Sequence, residues 1–155
     1  MLRLTKKADY GLIALKHLAE LPEGQAQSAK EIAEAYRIPT PLLAKVLQTL
    51  ARAGLVVSHA GIHGGYTLGR PASRITAFEV IRAIEGPFFI ASCTTSHGDC
   101  DLLNSCTVKE PLRKLNDTLQ GLLMNMRISD LCEESRAVAA FARKSNASQL
   151  VTLTH

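Results

Sequence analysis

The apolar positions of this 155-residue chain change their period several times, and each change marks an element. Behind Thr5, a residue suited to capping, Ala8, Leu12, Leu15 and Ala19 recur at helical spacing until "LPEG" breaks the pattern. "SAKE" then offers a capping box, Ser28 with Glu31, which opens a short helix whose inward face is Ile32, Ala33 and Tyr36. After the turn "RIPT", Thr40 serves as N-cap and Pro41 takes the first helical position, where its missing N–H costs nothing. The third helix, 41–53, buries Leu43, Val46, Leu47 and Leu50, while Ala44, Lys45, Gln48 and Arg52 share another face at steps of three and four.

The period then shortens. "LVVSHAGIHGGYTLGRP" holds two β-rich runs, 55–58 and 65–69, around a loop with Gly61, Gly64 and Gly65, residues that tolerate tight tips and close backbone approach. A short helix, a four-residue turn, a helix with a small-and-basic outer stripe and a glycine-tipped hairpin together predict a winged helix-turn-helix. In that arrangement the second helix enters the major groove of double-stranded DNA. A purely structural helical hairpin is the plainer alternative, and the hairpin behind it favours DNA reading.

Helical period returns in "TAFEVIRAIEGP", with a second capping box (Thr76, Glu79), an apolar edge of Val80 and Ile84, and a stop at Gly86-Pro87. Further on, Val108, Leu112, Leu115, Leu119, Leu122 and Met126 alternate steps of four and three, a heptad seam that wants a partner helix. Packing on its own domain is the alternative; a homodimer suits an operator with two half-sites. Burying all six would contribute on the order of 10 kcal/mol per chain as an upper bound. Pro111 must fall in the first turn of this helix, and Gly121 costs about 1 kcal/mol relative to Ala. The expected class is mainly α with a small β-wing. It divides into a DNA-binding domain (1–72), a connecting helix, cysteine loop and dimerisation helix (73–132), and a partly disordered tail (133–155).

Composition narrows the function. Residues 1–70 carry nine Lys/Arg against five Asp/Glu, and residues 71–155 carry nine of each, so the whole +4 excess lies in the half that reads as a winged helix. A basic half beside a neutral one suggests a polyanion partner, with a solvated surface as the ordinary alternative. The chain lacks Trp and is only 5% aromatic, which argues against a surface built on base stacking. No Ser/His/Asp set, phosphate loop or paired carboxylates point to an enzyme or a small-molecule substrate. The opening "MLRLTKKADYG" has no apolar signal region, and no run is long enough to span a membrane, so a cytoplasmic setting is expected.

In such a setting clustered cysteines bind metal or do redox chemistry more often than they form disulfides. "CTTSHGDCDLLNSC" places Cys93, Cys100 and Cys106 within fourteen residues. A disulfide would leave one thiol idle. Zinc sites usually pair their ligands at Cys-x2–4-Cys, and the spacings here are six and five, though zinc with His97 as fourth ligand stays open. Longer spacings on a polar loop suit an iron–sulfur cluster better. Cysteines acting only as small apolar residues would not sit among such polar neighbours. Cys106 also precedes the seam helix, whose N-terminus favours a thiolate.

"LRLTKKADYGLIAL", "GLVVSHAGIHGGYTLGRP" and "ITAFEVIRAIEGP", followed by three spaced cysteines, resemble the Rrf2 family of bacterial transcriptional regulators over about residues 1–132. The opening looks most like the branch that regulates the SUF genes of iron–sulfur cluster assembly. The resemblance implies a homodimer with 41–53 as recognition helix and 55–69 as wing. It also implies a cluster on Cys93, Cys100 and Cys106, [2Fe–2S] favoured over [4Fe–4S]. Some members read a base with an acidic residue where Ala44 stands here, and many have Arg where this chain has Ala60, so their operators are not carried over. Thr40, Lys45, Gln48, Arg52, His59 and His63 remain as DNA-contact candidates. For the fourth ligand, the histidine that cluster-sensing members use is Lys109 here. Nitric-oxide-sensing members use an acid in the first helix, reached across the dimer, which corresponds to Asp9; His97, Glu110 and Cys132 come next.

Overall fold

The computed structural model describes residues 4–91, 94, 100–101, 104–134 and 136. Cys93, His97 and the tail residues 135 and 137–155 lie outside the described residues. Helix α1 (Lys6–Glu20) is capped by Thr5, whose hydroxyl accepts the Ala8 N–H. Its buried stripe runs through Ala8, Gly11, Ala14, Leu15 and Leu18, leaving the expected Leu12 and Ala19 half-buried. The stripe is displaced because α1 is gripped by two helices at once. At Gly11 an added Cβ would lie 2.3 Å from Ile84 Cδ1, so the glycine permits the second contact.

Helix α2 (Ala29–Tyr36) opens on the expected capping box, Ser28 N–H donating to Glu31 Oε2 at 2.7 Å and Glu31 N–H to Ser28 Oγ at 3.2 Å. It ends where Arg37 turns left-handed (φ 54°). That ending leaves Tyr36 at the rim, 38% exposed, rather than facing inward as its spacing suggested. Helix α3 (Thr40–Arg52) begins one residue earlier than expected: Pro39 is the N-cap, its carbonyl accepts the Leu42 and Leu43 N–H groups, and Thr40 is already helical. Leu43, Val46, Leu47 and Leu50 are buried as their spacing required.

Strands β1 (Val56–His59) and β2 (Gly65–Leu68) form the antiparallel wing, in register from Val56 opposite Leu68 to His59 opposite Gly65. On the other edge of β2, Gln27 makes one antiparallel bridge to Tyr66, with N···O distances of 3.1 and 2.7 Å. After a 3-10 turn (Ala72–Arg74), helix α4 (Ala77–Glu85) carries the second capping box and stops at Gly86, φ 83°.

Helix α5 (Lys109–Asn125) holds Pro111 in its first turn, as required of a residue without an N–H. It docks on its own chain through amides rather than leucines. Buried Asn116 accepts the Ile90 N–H through Oδ1 at 3.2 Å, and Gln120 Nε2 donates to the Phe88 carbonyl at 2.9 Å. That face draws Leu112 and Leu119 half under cover. Val108, Leu115, Leu122 and Met126 stay 53%, 48%, 61% and 41% exposed. The end of α5 is stitched to the start of α4: Ala77 N–H donates to the Met126 carbonyl (2.9 Å), and Ile128 N–H to the Ile75 carbonyl (3.0 Å). Residues 128–134 are helical, and Ile128 enters a core shared with Leu15, Ile32, Leu43, Leu47, Leu50, Ile75 and Val80.

Candidate nucleic-acid interface and metal centre

The same alternation that buries four α3 residues turns Lys45, Gln48 and Arg52 to solvent on its far side, with Thr40 and Ala44 half-buried along the edge. Lys16, Lys30 and Arg70 pair with Glu20 (3.0 Å), Glu34 (3.9 Å) and Glu79 (2.9 Å). Among the described residues, Lys45, Arg52 and Arg37 have no carboxylate partner, so their charges face outward uncompensated.

The wing presents two histidines differently. His59 Nε2 is hydrogen-bonded to Thr67 Oγ1 across the hairpin at 2.8 Å, which fixes its ring. His63 is exposed at the tip beside Ile62, whose side chain is 99% exposed. Gly64 N–H closes the tip on the Gly61 carbonyl at 3.0 Å, and a Cβ on Gly64 would come within 2.4 Å of the His59 carbonyl. The tip is therefore a tight turn that holds both residues outward. Ile62 and Arg37 were not singled out by sequence reasoning; the only available signals were an apolar residue between tip glycines and a basic residue before the "IPT" turn.

The cysteine loop hangs between α4 and α5. Cys100 and Cys106 are free thiols, both half-buried, and Cys106 stands three residues before the first residue of α5. Among the described residues, no three His, Cys, Asp or Glu side chains converge to hold a metal ion, and Cys93 lies outside them.

The fourth-ligand candidates differ sharply in their surroundings. Glu110 is gripped through both oxygens by Arg113, one contact being Nε to Oε2 at 3.1 Å, and this hydrogen bonding holds its carboxyl below the usual range. Cys132 is buried against α1 with Sγ 3.8 Å from the Lys16 carbonyl, and burial pushes its thiol up, away from the thiolate a metal needs. Asp9 is exposed in the first turn of α1. That end of α1 is tied to the end of α4: Thr5 N–H donates to Glu85 Oε1 at 3.0 Å, and the Thr5 hydroxyl contacts the same oxygen. Asp9 follows Thr5 by one turn, its N–H donating to the Thr5 carbonyl at 3.2 Å. Lys109 is the first residue of α5.

No helix among the described residues is long and apolar enough to cross a membrane. The family model for Rrf2, described as an iron-dependent transcriptional regulator, matches residues 4–134. Among solved structures, CymR of B. subtilis, described as its global cysteine regulator, is 29% identical. The match covers 86% of this chain and 98% of that one, with a TM-score of 0.73. The oxidized form of Staphylococcus aureus CymR is 27% identical over 85% of this chain and 97% of its own, TM-score 0.67. IscR of T. potens is 26% identical over 86% and 88%, TM-score 0.69.

Proposed function

The chain belongs to the Rrf2 family of transcriptional regulators, and we propose that it acts as a homodimer whose grip on a promoter operator follows the state of an iron–sulfur cluster in its cysteine loop. The genes of SUF-type cluster assembly are the proposed targets. The observation that carries this reading is the placement of Cys100 and Cys106, half-buried and unpaired, on a loop slung between the helix next to the reading head and the helix with the exposed apolar stripe.

The donor chemistry fits a cluster. Cys93, Cys100 and Cys106 supply three thiolates, and Asp9 is the fourth candidate whose carboxylate no described hydrogen bond engages. A bound cluster supplies a redox-sensitive, oxidation-labile charge. In the reading head, Gln48 contacts base edges, while Lys45 and Arg52 meet phosphates and set register without reading sequence. Thr40, His59 and His63 complete the contact set. The stripe of Val108, Leu115, Leu122 and Met126, with Leu112 and Leu119 beside it, pairs with its copy, so that two reading heads face two half-sites.

Anaerobic purification tests the cofactor. A brown protein with visible thiolate-to-iron bands is expected, paler in Asp9→Ala and colourless in Cys93→Ala. A colourless, iron-free wild type sinks the cluster reading. For DNA, Lys45→Ala should weaken binding to every sequence and flatten its salt dependence, while Gln48→Ala should chiefly blur specificity.

A second reading is a regulator that works through its thiols or a zinc ion without a cluster. It is favoured by similarity to CymR, described as a cysteine regulator and crystallised in an oxidized form. Metal analysis separates the two: zinc at about one per chain, or no metal with thiols that titrate reversibly, supports the second.

A further inference from the structure

The wing is short, and strands of four residues in a two-stranded ribbon are marginal by themselves. Val56 roots the base of β1 in the core, but Val57, Ser58 and His59 beyond it are exposed, so past that base the wing meets the head through β2. There its inner edge meets Gln27, through a single bridge of two backbone hydrogen bonds. The approach is close: a Cβ on Gly65 would sit 2.4 Å from the Gln27 carbonyl carbon.

What holds Gln27 is a histidine one helix away. Gln27 Oε1 contacts His17 Nε2, and His17 Nδ1 lies 3.0 Å from the Tyr36 hydroxyl, the two rings meeting edge to face at 5.4 Å. With Gln27 Oε1 as acceptor, the imidazole donates through Nε2, and Nδ1 shares a hydrogen bond with the tyrosine hydroxyl. Tyr36 is the last residue of α2, immediately before the left-handed turn that leads into α3. One imidazole on α1 therefore links the turn that leads into α3 to the residue that bridges the wing's inner edge.

We infer that His17 is a positioning residue for DNA reading: it fixes, through Gln27 and Tyr36, the direction in which the wing leaves the head relative to α3. The inference rests on the DNA-reading role proposed above. Its leverage follows from length. His63 lies three residues beyond Tyr66, a reach of at most about 10 Å. A swing of roughly 10° at the Gln27 bridge would move the tip by up to about 1.7 Å, more than a hydrogen bond tolerates.

The probe is a DNA duplex selected by the wild-type protein from a random-sequence pool, with binding measured at one fixed salt concentration. His17→Ala is expected to weaken binding about tenfold. His17→Gln, whose amide N–H reaches the place of Nε2, should recover most of that loss. In a His63→Ala background, His17→Ala should add less than about twofold, because the wing contact it serves is already gone. Amide exchange on the free full-length chain gives a second measure: Gln27 and Tyr66 N–H protection should fall in His17→Ala and return in His17→Gln, with α3 protection unchanged. Losses that multiply in the double variant, or a His17→Gln no better than His17→Ala, would overturn the inference. Unchanged Gln27 and Tyr66 protection would do so whether or not DNA is bound. A wild-type protein that selects no duplex, yet shows the exchange pattern, instead overturns the DNA reading and leaves His17 as the wing's anchor.

Discussion

Leu122 offers the sharpest energetic test of the apolar stripe on α5. In the single chain it is 61% exposed, so Leu122→Ser removes little that the fold uses and should shift monomer stability by no more than about 0.5 kcal/mol. In the proposed dimer that exposed fraction is covered. Full burial of a leucine contributes about 1.5–3 kcal/mol, so the covered part is worth about 1–2 kcal/mol per protomer. Two-fold symmetry counts it twice, giving about 2–4 kcal/mol, or roughly 30- to 700-fold in the dimer dissociation constant at tenfold per 1.4 kcal/mol. Sedimentation velocity across a dilution series reads the constant, and urea unfolding of the dilute protein reads the monomer. A dissociation constant unchanged within threefold would refute the assignment of this face. So would a monomer destabilised by the full amount, which would place Leu122 in a core. The four exposed stripe residues together amount to about two complete side chains, some 3–6 kcal/mol per protomer. That is less than six fully buried positions suggested, because Leu112 and Leu119 are already half-covered by their own chain.

Three further outcomes follow from local geometry. Gly65→Ala drives a methyl into the Gln27 backbone and should cost about 1–3 kcal/mol, read as a lowered urea midpoint; an unchanged midpoint would show that the wing is not seated there. Gly121→Ala meets open space and should stabilise by about 1 kcal/mol through helix propensity, whereas a loss of dimer affinity would mean that a partner chain occupies that space. Burial opposes ionisation of Glu79, yet hydrogen bonds from the Thr76 N–H, the Arg70 guanidinium and the Thr76 hydroxyl, with the Arg70 charge, hold its carboxyl below the ordinary value. A depressed folded-state pKa stabilises the ionised form. Its contribution is therefore complete above the unfolded value near 4.3 and fades as pH falls towards the folded one. Glu79→Gln should flatten the stability profile between about pH 5 and 3, and a profile as steep as wild type would refute that role.

The features legible in the sequence are those governed by neighbours a few residues away. Both capping boxes follow from Ser or Thr three residues ahead of Glu, and α3's two faces follow from its 3.6-residue period. The start of α3 differs from the expected cap at Thr40 by one position because Pro39, unable to donate but able to accept, supplies the cap carbonyl. The spacing of Tyr36 matches Ile32 and predicts an inward ring, but the left-handed Arg37 ends the helix under it and leaves the ring for His17. The division of the heptad face was hidden for a different reason: two amides, Asn116 and Gln120, set which side of α5 turns inward, and apolar periodicity does not register them. The Gln27 bridge has no period at all, being one residue long. At the cysteine loop, spacing and resemblance propose the donors and put Asp9 first. What engages Glu110 and Cys132 is visible only in three dimensions, where Arg113 holds the one and the core buries the other.

The backbone stitches at Ala77–Met126 and Ile75–Ile128 carry a consequence for how such a regulator diversifies. They close α4 and α5 into a ring whose opening and closing residues lie side by side, and the cysteine segment is an insertion within that ring. The inserted segment meets the frame at Phe88 and Ile90, and among the described residues the core includes neither Cys100 nor Cys106. Changing its length or its side chains leaves the frame's own bonds untouched. The cysteine segment is therefore a replaceable cassette on a frame that stands without it.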